Sequence, residues 1–444
     1  MHFIRSRRAL AAFCTLLLFA GSLMLCPAPA YAKVQTSDIV CGETAQERGL
    51  AESDLPDISA EHAMVIDAEG TVYFERDADE QVRIASLTKL MTAIVALENA
   101  ELTDTITVDH AAATIGESTA NLREGDTLTL ETALRGLLIP SGNDAAMAIA
   151  TSVGAIIDPS SDDPYATFVD AMNKKAEELG LDAVFANPHG LDFGDWEADM
   201  HASARDVAKM LSYAMQNETF REIDGSGKNS ITVTSADGSE RKVTFRVWNV
   251  LLGKDGNIGG KTGTTGEAGM CFAGAFSREG EEIYVVVLGC PSDDERFGDT
   301  VTLADWYYDH METVNVVASD RQTMDGELLV GRATAADWTD KTVDVVVSDP
   351  DATARVFTLE DDLSLDIELE ELSGSVKKGD PAGTLTLFQG SDSVAAVDLV
   401  AAEDVAEPTP LEWLLVQFDR FTRWVTGEES TAPCETYATV PSLS

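Results

Sequence analysis

Three short stretches of the chain set a hydroxyl, an amine or an amide at spacings that can do chemistry. Ser86-Leu87-Thr88-Lys89 opens an apolar helical pattern, Ser141-Gly142-Asn143 lies between two such patterns, and Lys261-Thr262-Gly263 follows Gly259-Gly260. A serine and a lysine three residues apart share one helical face with Cβ atoms about 5–6 Å apart, so the amine reaches the hydroxyl. The run from Ser86 to Glu98 carries Leu87, Leu90, Met91, Ile94 and Val95 around most of its circumference, which places this helix in the core. A lysine carried inside loses proton affinity, takes the serine proton and makes Ser86 an acylating nucleophile. The positive end of the helix then faces the oxyanion that forms.

The other two stretches supply what such a nucleophile needs around it. Ser141, in a loop before a helix, can relay a proton, and Asn143 offers a carboxamide. Glycines beside Lys261 let a second backbone approach a strand edge, and the lysine brings positive charge to a substrate carboxylate. Each stretch alone also has an ordinary reading: a snorkelling lysine, an N-cap with its turn, and a basic turn on a solvated edge. The three in this order point to one site.

The elements that must position these residues follow from periodicity. His62–Glu75 and the runs Met270–Phe276 and Ile283–Leu288 read as hairpins; Leu130–Leu138, Asp144–Val153, Tyr165–Leu179 and Thr300–Met311 read as helices. The expected class is α/β (α+β), with a central antiparallel sheet and a helical subdomain. Past residue 314 the helical patterns give way to short β-branched runs, Thr342–Val347, Ala354–Leu359 and Gly383–Phe388, so a small all-β domain follows. The expected divisions are a cleaved leader over 1–32, an extension over 33–55, a catalytic domain over 56–313, a β-sandwich-like domain over 314–406, an amphipathic helix over 411–426 and a disordered tail over 427–444.

The leader rests on Arg5, Arg7 and Arg8, the apolar run Ala9–Cys26 and the small-x-small site Ala30-Tyr31-Ala32, and it predicts export. Acidic side chains number 77 against 31 basic ones, a net charge of −46, which excludes a nucleic-acid partner and opposes adhesion to anionic lipid. Membrane contact must then come from apolar burial. Leu411, Leu414, Leu415, Phe418, Phe421 and Val425 recur at helical spacing with Trp413 and Trp424 near the ends, after a Pro-rich linker, and read as a peripheral anchor. Cys41, Cys271, Cys290 and Cys434 lack metal-ligand spacing, and neither metal nor cofactor is expected. A two-residue loop at Gly280-Glu281 would set Cys271 opposite Cys290 and allow a disulfide; a loop one residue different would part them.

With these motifs in place the chain resembles the low-molecular-mass penicillin-binding proteins that act as serine D,D-carboxypeptidases. The likeness extends to Ala63-Met64-Val65-Ile66-Asp67, Gly136–Ala145, Asn187-Pro188-His189-Gly190-Leu191, Ser203-Ala204-Arg205-Asp206 and Lys261–Thr265, and spans roughly residues 56 to 425. It implies a serine β-lactamase/transpeptidase-like catalytic domain that removes the terminal D-alanine from peptidoglycan stem peptides. It also implies β-lactam inhibition, a role in cell-wall biosynthesis and cell shape, and a place at the extracytoplasmic face of the membrane. The resemblance makes Ser86 the nucleophile, Lys89 its base and Ser141 a proton shuttle, with Asn143 on the substrate amide. It assigns Lys261, Thr262, Gly263, Thr264 and, more remotely, Arg296 to the substrate, with the backbone amides of Ser86 and Thr264 as the oxyanion hole. His189 and Asp206 match the family and read as structural. Gly259-Gly260 departs from it, replacing a bulkier pair before Lys261. Two alternatives share the motifs: a class A-like β-lactamase, for which Glu178–Asp182 loosely mimics the deacylating site, and an inactive envelope-binding protein.

Overall fold

The computed structural model describes residues 34–443, so the leader expected over 1–32 lies outside the described residues. The chain divides into two compact units, one ending at Ala304 and the other beginning at Asp305.

The first unit is built on a seven-stranded antiparallel sheet. Its order runs Glu43–Thr44, Ile39–Val40, Val72–Arg76, His62–Asp67, Glu281–Cys290, Gly269–Arg278, Asn257–Thr265. Its middle strands are nearly continuous apolar runs, as in Ala63–Ile66 and Ile283–Leu288, because both faces are covered. The extension over 33–55 is therefore part of this unit: Ile39–Val40 lies along Phe74–Glu75, and Asp38 bridges Arg76 at 2.7 Å with both side chains about 1% exposed. The last strand, Asn257–Thr265, is an edge, and it carries the third motif.

Beside the sheet, the helix Lys89–Asn99 is buried from Lys89 to Ala96 and touches the helices Leu130–Leu138, Asn143–Ile157, Pro164–Glu178 and Ala204–Met215. Three of these four helices start on a side-chain cap that the sequence supplies: Thr129 accepts from Thr132 N–H, Asp163 from Ala166 N–H before Pro164, and Ser203 with Asp206 closes a capping box. A four-stranded sheet, Thr105–Thr107, Thr127–Thr129, Ser230–Thr234 and Glu240–Thr244, completes the helical subdomain.

Local geometry moves several expected boundaries. The second hairpin turns at Glu279-Gly280, where both residues have positive φ (54° and 89°), the requirement of a two-residue type I′ turn. Arg278 thus faces Glu281, and a bulge near Met270 sets Met270 opposite Cys290. Cys271 does not face Cys290, and both thiols are free: Cys271 Sγ donates to Ala268 O and Cys290 Sγ to Asp299 Oδ2. The helix expected from Thr300 begins at Asp293 and ends at Asp309; its first turn of Asp293, Asp294 and Glu295 is acidic, as a helix N-terminus favours.

The second unit holds a six-stranded sheet in the order Leu363–Leu369, Pro381–Gln389, Asp392–Ala401, Thr342–Val347, Gly331–Thr334, Glu435–Thr436, and a two-stranded one, Met311–Asn315 with Thr353–Phe357. The amphipathic helix spans Pro410–Thr426 and is capped by Thr409 with Glu412. The tail that follows, expected to be disordered, returns to the β-domain. Glu435–Thr436 pairs with Gly331–Arg332, Thr439 bridges Ala318, and Arg321 lies 3.8 Å over the Tyr437 ring. A side chain at Gly331 would meet Glu435 O at 2.4 Å, so glycine is what admits the tail there. Deleting residues 430–444 should cost the β-domain about 1–2 kcal/mol, the worth of the lost cross-strand and cation–π contacts, read as a lower denaturant midpoint with peptidase activity retained.

Candidate active site

Ser86 does not open the α-helix as its spacing suggests. It lies in a 3-10 turn, Ala85–Thr88, and Lys89 is the first α-helical residue. In a 3-10 turn residues three apart eclipse, which brings Lys89 Nζ to 2.8 Å from Ser86 Oγ. The turn is held open by Ala85 in a left-handed conformation (φ 47°), strained for a residue with a Cβ. Two neighbouring backbones press on it. Gly190 leaves no room for a Cβ, which would lie 1.9 Å from Ala85 O, and a Cβ on Gly263 would lie 2.7 Å from Ile84 O. The glycine of the third motif is thus what lets the edge strand pass over the turn that carries Ser86.

Lys89 is fully buried. Besides Ser86 Oγ, its amine meets Asn143 Oδ1 at 2.8 Å and His189 O at 2.6 Å. Burial first, and the nearby Lys261 charge second, push its pKa well below that of an ordinary lysine, against the pull of Asp144. Asn143 Nδ2 donates to Gly116 O at 3.1 Å, which fixes the orientation of the carboxamide and leaves Oδ1 for the lysine. The sequence assigned Asn143 to the substrate; the structure gives it a prior task, holding Lys89.

Ser141 adopts φ 60°, and Trp248 Nε1 holds the preceding Pro140 carbonyl at 3.0 Å. Ser141 Oγ is 2.8 Å from Lys261 Nζ, which also donates to Thr262 O at 2.7 Å. Desolvation lowers the Lys261 pKa to about 7, with Asp224 opposing and Arg296 adding to the drop. Arg296, buried on the helix Asp293–Asp309, donates to Gly263 O at 3.0 Å and to Thr264 Oγ1 at 2.9 Å, so it braces the third motif. Thr262 and Gly263 line the same edge strand. The structure therefore gathers Ser86, Lys89, Ser141, Asn143, Lys261, Thr262, Gly263, Thr264 and Arg296 into one continuous cluster.

Three participants carried no signal in the spacing of the motifs. The His189 carbonyl holds Lys89 while its ring accepts from Leu191 N–H and packs edge-on to Trp196 at 4.6 Å, so this histidine braces the loop, as read from the sequence, through its main chain. Asp144 accepts from Thr119 Oγ1, Ala120 N, Leu122 N and Ala145 N at 2.5–3.0 Å and fastens residues 119–122 against the second motif. Asp224 is buried beneath Gly259 and Gly260. Asp206 caps its helix and accepts from Asp182 N–H, and so is structural. Replacing Asp144→Ala should strand these donors, cost about 3 kcal/mol or more in stability and slow acylation of Ser86; denaturation together with a penicillin-binding time course would show both.

The family model described as D-alanyl-D-alanine carboxypeptidase matches residues 49–292. The D-alanyl-D-alanine carboxypeptidase DacF of Bacillus subtilis is 27% identical over 373 residues, 81% of this chain and 89% of its own length. A Streptomyces D-alanyl-D-alanine carboxypeptidase is 30% identical over 68% of this chain and 99% of its own. Among solved structures, a Streptomyces DD-transpeptidase superposes with TM-score 0.52 at 31% identity over 56% of this chain and 97% of its own. The Francisella tularensis carboxypeptidase DacD, at 23% identity, shares the fold over 79% of this chain and 94% of its own with TM-score 0.52. With this family model matching more than half of its length, the chain belongs to the D-alanyl-D-alanine carboxypeptidase family of serine peptidases.

Proposed function

We propose that Ser86 attacks the carbonyl carbon of the penultimate D-alanine of a peptidoglycan pentapeptide stem, releases the terminal D-alanine and passes the acyl group to water. The observation that carries this reading is the setting of the Lys89 amine. A neutral amine has two hydrogens and one lone pair. Asn143 Oδ1 and the His189 carbonyl only accept, so they take the two hydrogens, and the lone pair is left facing Ser86 Oγ at 2.8 Å. Burial keeps the amine neutral in enough molecules for it to take the serine proton.

As Ser86 adds to the carbonyl, the charge on oxygen meets the backbone amides of Ser86 and Thr264. Ser141, held by Lys261, passes a proton to the departing D-alanine amine and recovers the one that Lys89 took from Ser86, while Lys261, Thr262 and Thr264, backed by Arg296, receive the carboxylate. The ester left on Ser86 is then cleaved by water. A β-lactam presents a reactive amide and a carboxylate to the same groups, so it acylates Ser86 as well. The β-lactamase alternative needs its own deacylating carboxylate. Glu178 is committed to Lys175 at 2.7 Å at the end of its helix, and the Asp182 amide is tied to Asp206.

Export and an envelope location accord with a substrate found outside the membrane. Among the described residues no helix is long and apolar enough to cross a bilayer. The helix Pro410–Thr426 instead exposes Leu411, Trp413, Leu414, Leu415, Phe418, Phe421, Trp424 and Val425, which we assign to the lipid interface. Its charges are engaged: Asp419 with Arg423 at 2.9 Å along the helix, Glu412 with the Thr409 cap, and Arg420 with the Ala336 and Trp338 carbonyls of the β-domain.

Two measurements test this. Wild-type protein mixed with benzylpenicillin should gain a long-lived adduct that maps to Ser86, while Ser86→Ala gains none and loses D-alanine release; release persisting in that variant would sink the assignment. In flotation assays the protein should bind neutral and anionic vesicles alike and resist salt, and Phe418→Asp with Phe421→Asp should remove the binding; equal binding by that variant would show that the helix is not the anchor.

A further inference from the structure

The pair Gly259-Gly260, just before the third motif, has a counterpart in the structure. Asp224, the last residue of the helix Glu218–Asp224, is buried directly beneath it. Its Oδ2 accepts the Gly260 N–H at 2.5 Å, and a Cβ on Gly259 would come within 2.6 Å of the same oxygen. The carboxylate fills the room that a side chain at position 259 would need. The sheet register runs unbroken from Gly259 to Thr265 against Ala275 to Gly269, so the Gly260 amide turned toward Asp224 points away from the neighbouring strand. By the same alternation Thr262 and Thr264 turn their backbone groups outward, and Thr262 O does meet the Lys261 amine. Asp224 therefore closes one end of the free edge, and the part left open begins at the residues that face the substrate.

A buried carboxylate costs free energy unless something compensates it. The group it acts on is Lys261, also buried, which Arg296 from the helix Asp293–Asp309 opposes as a like charge; across the site stands Lys89, whose own charge burial disfavours, with Asp144 beyond it. Among these groups Asp224 alone favours the protonated form of Lys261. We propose that Asp224 is a positioning residue for the carboxypeptidase reaction: by capping Gly260 and supplying the counter-charge, it holds Lys261 in place and protonated for the carboxylate that ends the substrate. The proposal rests on the reading of Lys261 given above. Asp224 has its pKa raised to about 6 by burial, so at neutral pH it is ionised, where Lys261, at about 7, most needs it.

The sign follows from these two groups. Lys261 is lost as a cation when pH rises through its pKa, so kcat/KM for a peptide ending in D-alanyl-D-alanine falls on that side, and removing the Asp224 charge brings the fall to lower pH. Asp224→Asn keeps an acceptor for Gly260 N–H and deletes the charge. The alkaline limb of kcat/KM should move down by about one pH unit or more, with about a tenfold loss at pH 8 carried mainly by KM. Saturating benzylpenicillin should still label Ser86. Gly259→Ala, whose methyl displaces the carboxylate, should shift the limb the same way and serves if Asp224→Asn does not fold. A profile that superimposes on the wild type, or one lowered equally at every pH, would overturn the role of Asp224 while leaving the enzyme assignment intact. Wild-type protein that neither releases D-alanine nor labels at Ser86 would overturn both.

Discussion

A primary amine with no exposed surface must give its hydrogens to something, and burial weakens its hold on the proton; both apply to Lys89. Its two acceptors, a carboxamide oxygen and a main-chain carbonyl, come from segments 54 and 100 residues further along the chain. Much of the first unit is arranged to keep those segments where they are. The nucleophile helix runs through the middle of the helical subdomain, so the amine stays dry. The loop at Pro188–Gly190 is pressed onto the Ala85 turn so closely that only glycine fits. The carboxylate of Asp144 gathers four donors so that the helix beginning at Asn143 cannot drift. The lowered proton affinity of Lys89 depends on packing, because a gap that let water reach it would relieve the desolvation that causes the shift.

The side chains with the reactive atoms were legible because their spacing is dictated by chemistry: Ser86 with Lys89 on one turn, Ser141 with Asn143 at a helix start, and Lys261 before Thr262 and Gly263. The central antiparallel sheet and the β-domain were legible from hydrophobic period. What the sequence concealed falls into two kinds. The His189 carbonyl is backbone, and any residue would carry it. Asp144 and Asp224 are single acids in a chain with 77 acidic residues, and nothing in their local pattern separates a buried one from a solvated one. Register was hidden for a related reason. A glycine marks the second hairpin turn, yet whether it takes the first or second loop position decides which residues oppose each other, and Glu279 shows no sign of its positive φ.

The electrostatics of the chain run in opposite directions at its surface and its site. With a net charge of −46 the molecule repels anions at long range, although the substrate it binds ends in a carboxylate. Lys261 and Arg296 lie behind that surface, both buried. Surface repulsion is screened within about 8 Å at physiological ionic strength, whereas buried charges are screened far less, so attraction prevails once the substrate reaches the cleft. Selectivity for a carboxylate terminus is thereby set at close range, where geometry decides.

The tail after the amphipathic helix covers the outer edge of the strand Gly331–Thr334. An uncovered edge is a template for another chain, and proteins normally blunt such edges with charge or proline. This one is blunted by the chain's own end, with a glycine at the point of closest approach. A protease that cut between the helix and Glu435 would thus release more than a peptide. It would bare a pairing surface next to a helix that already displays its apolar side, and make the cut molecule a seed for self-association. The integrity of this short tail then bears on whether the protein stays dispersed.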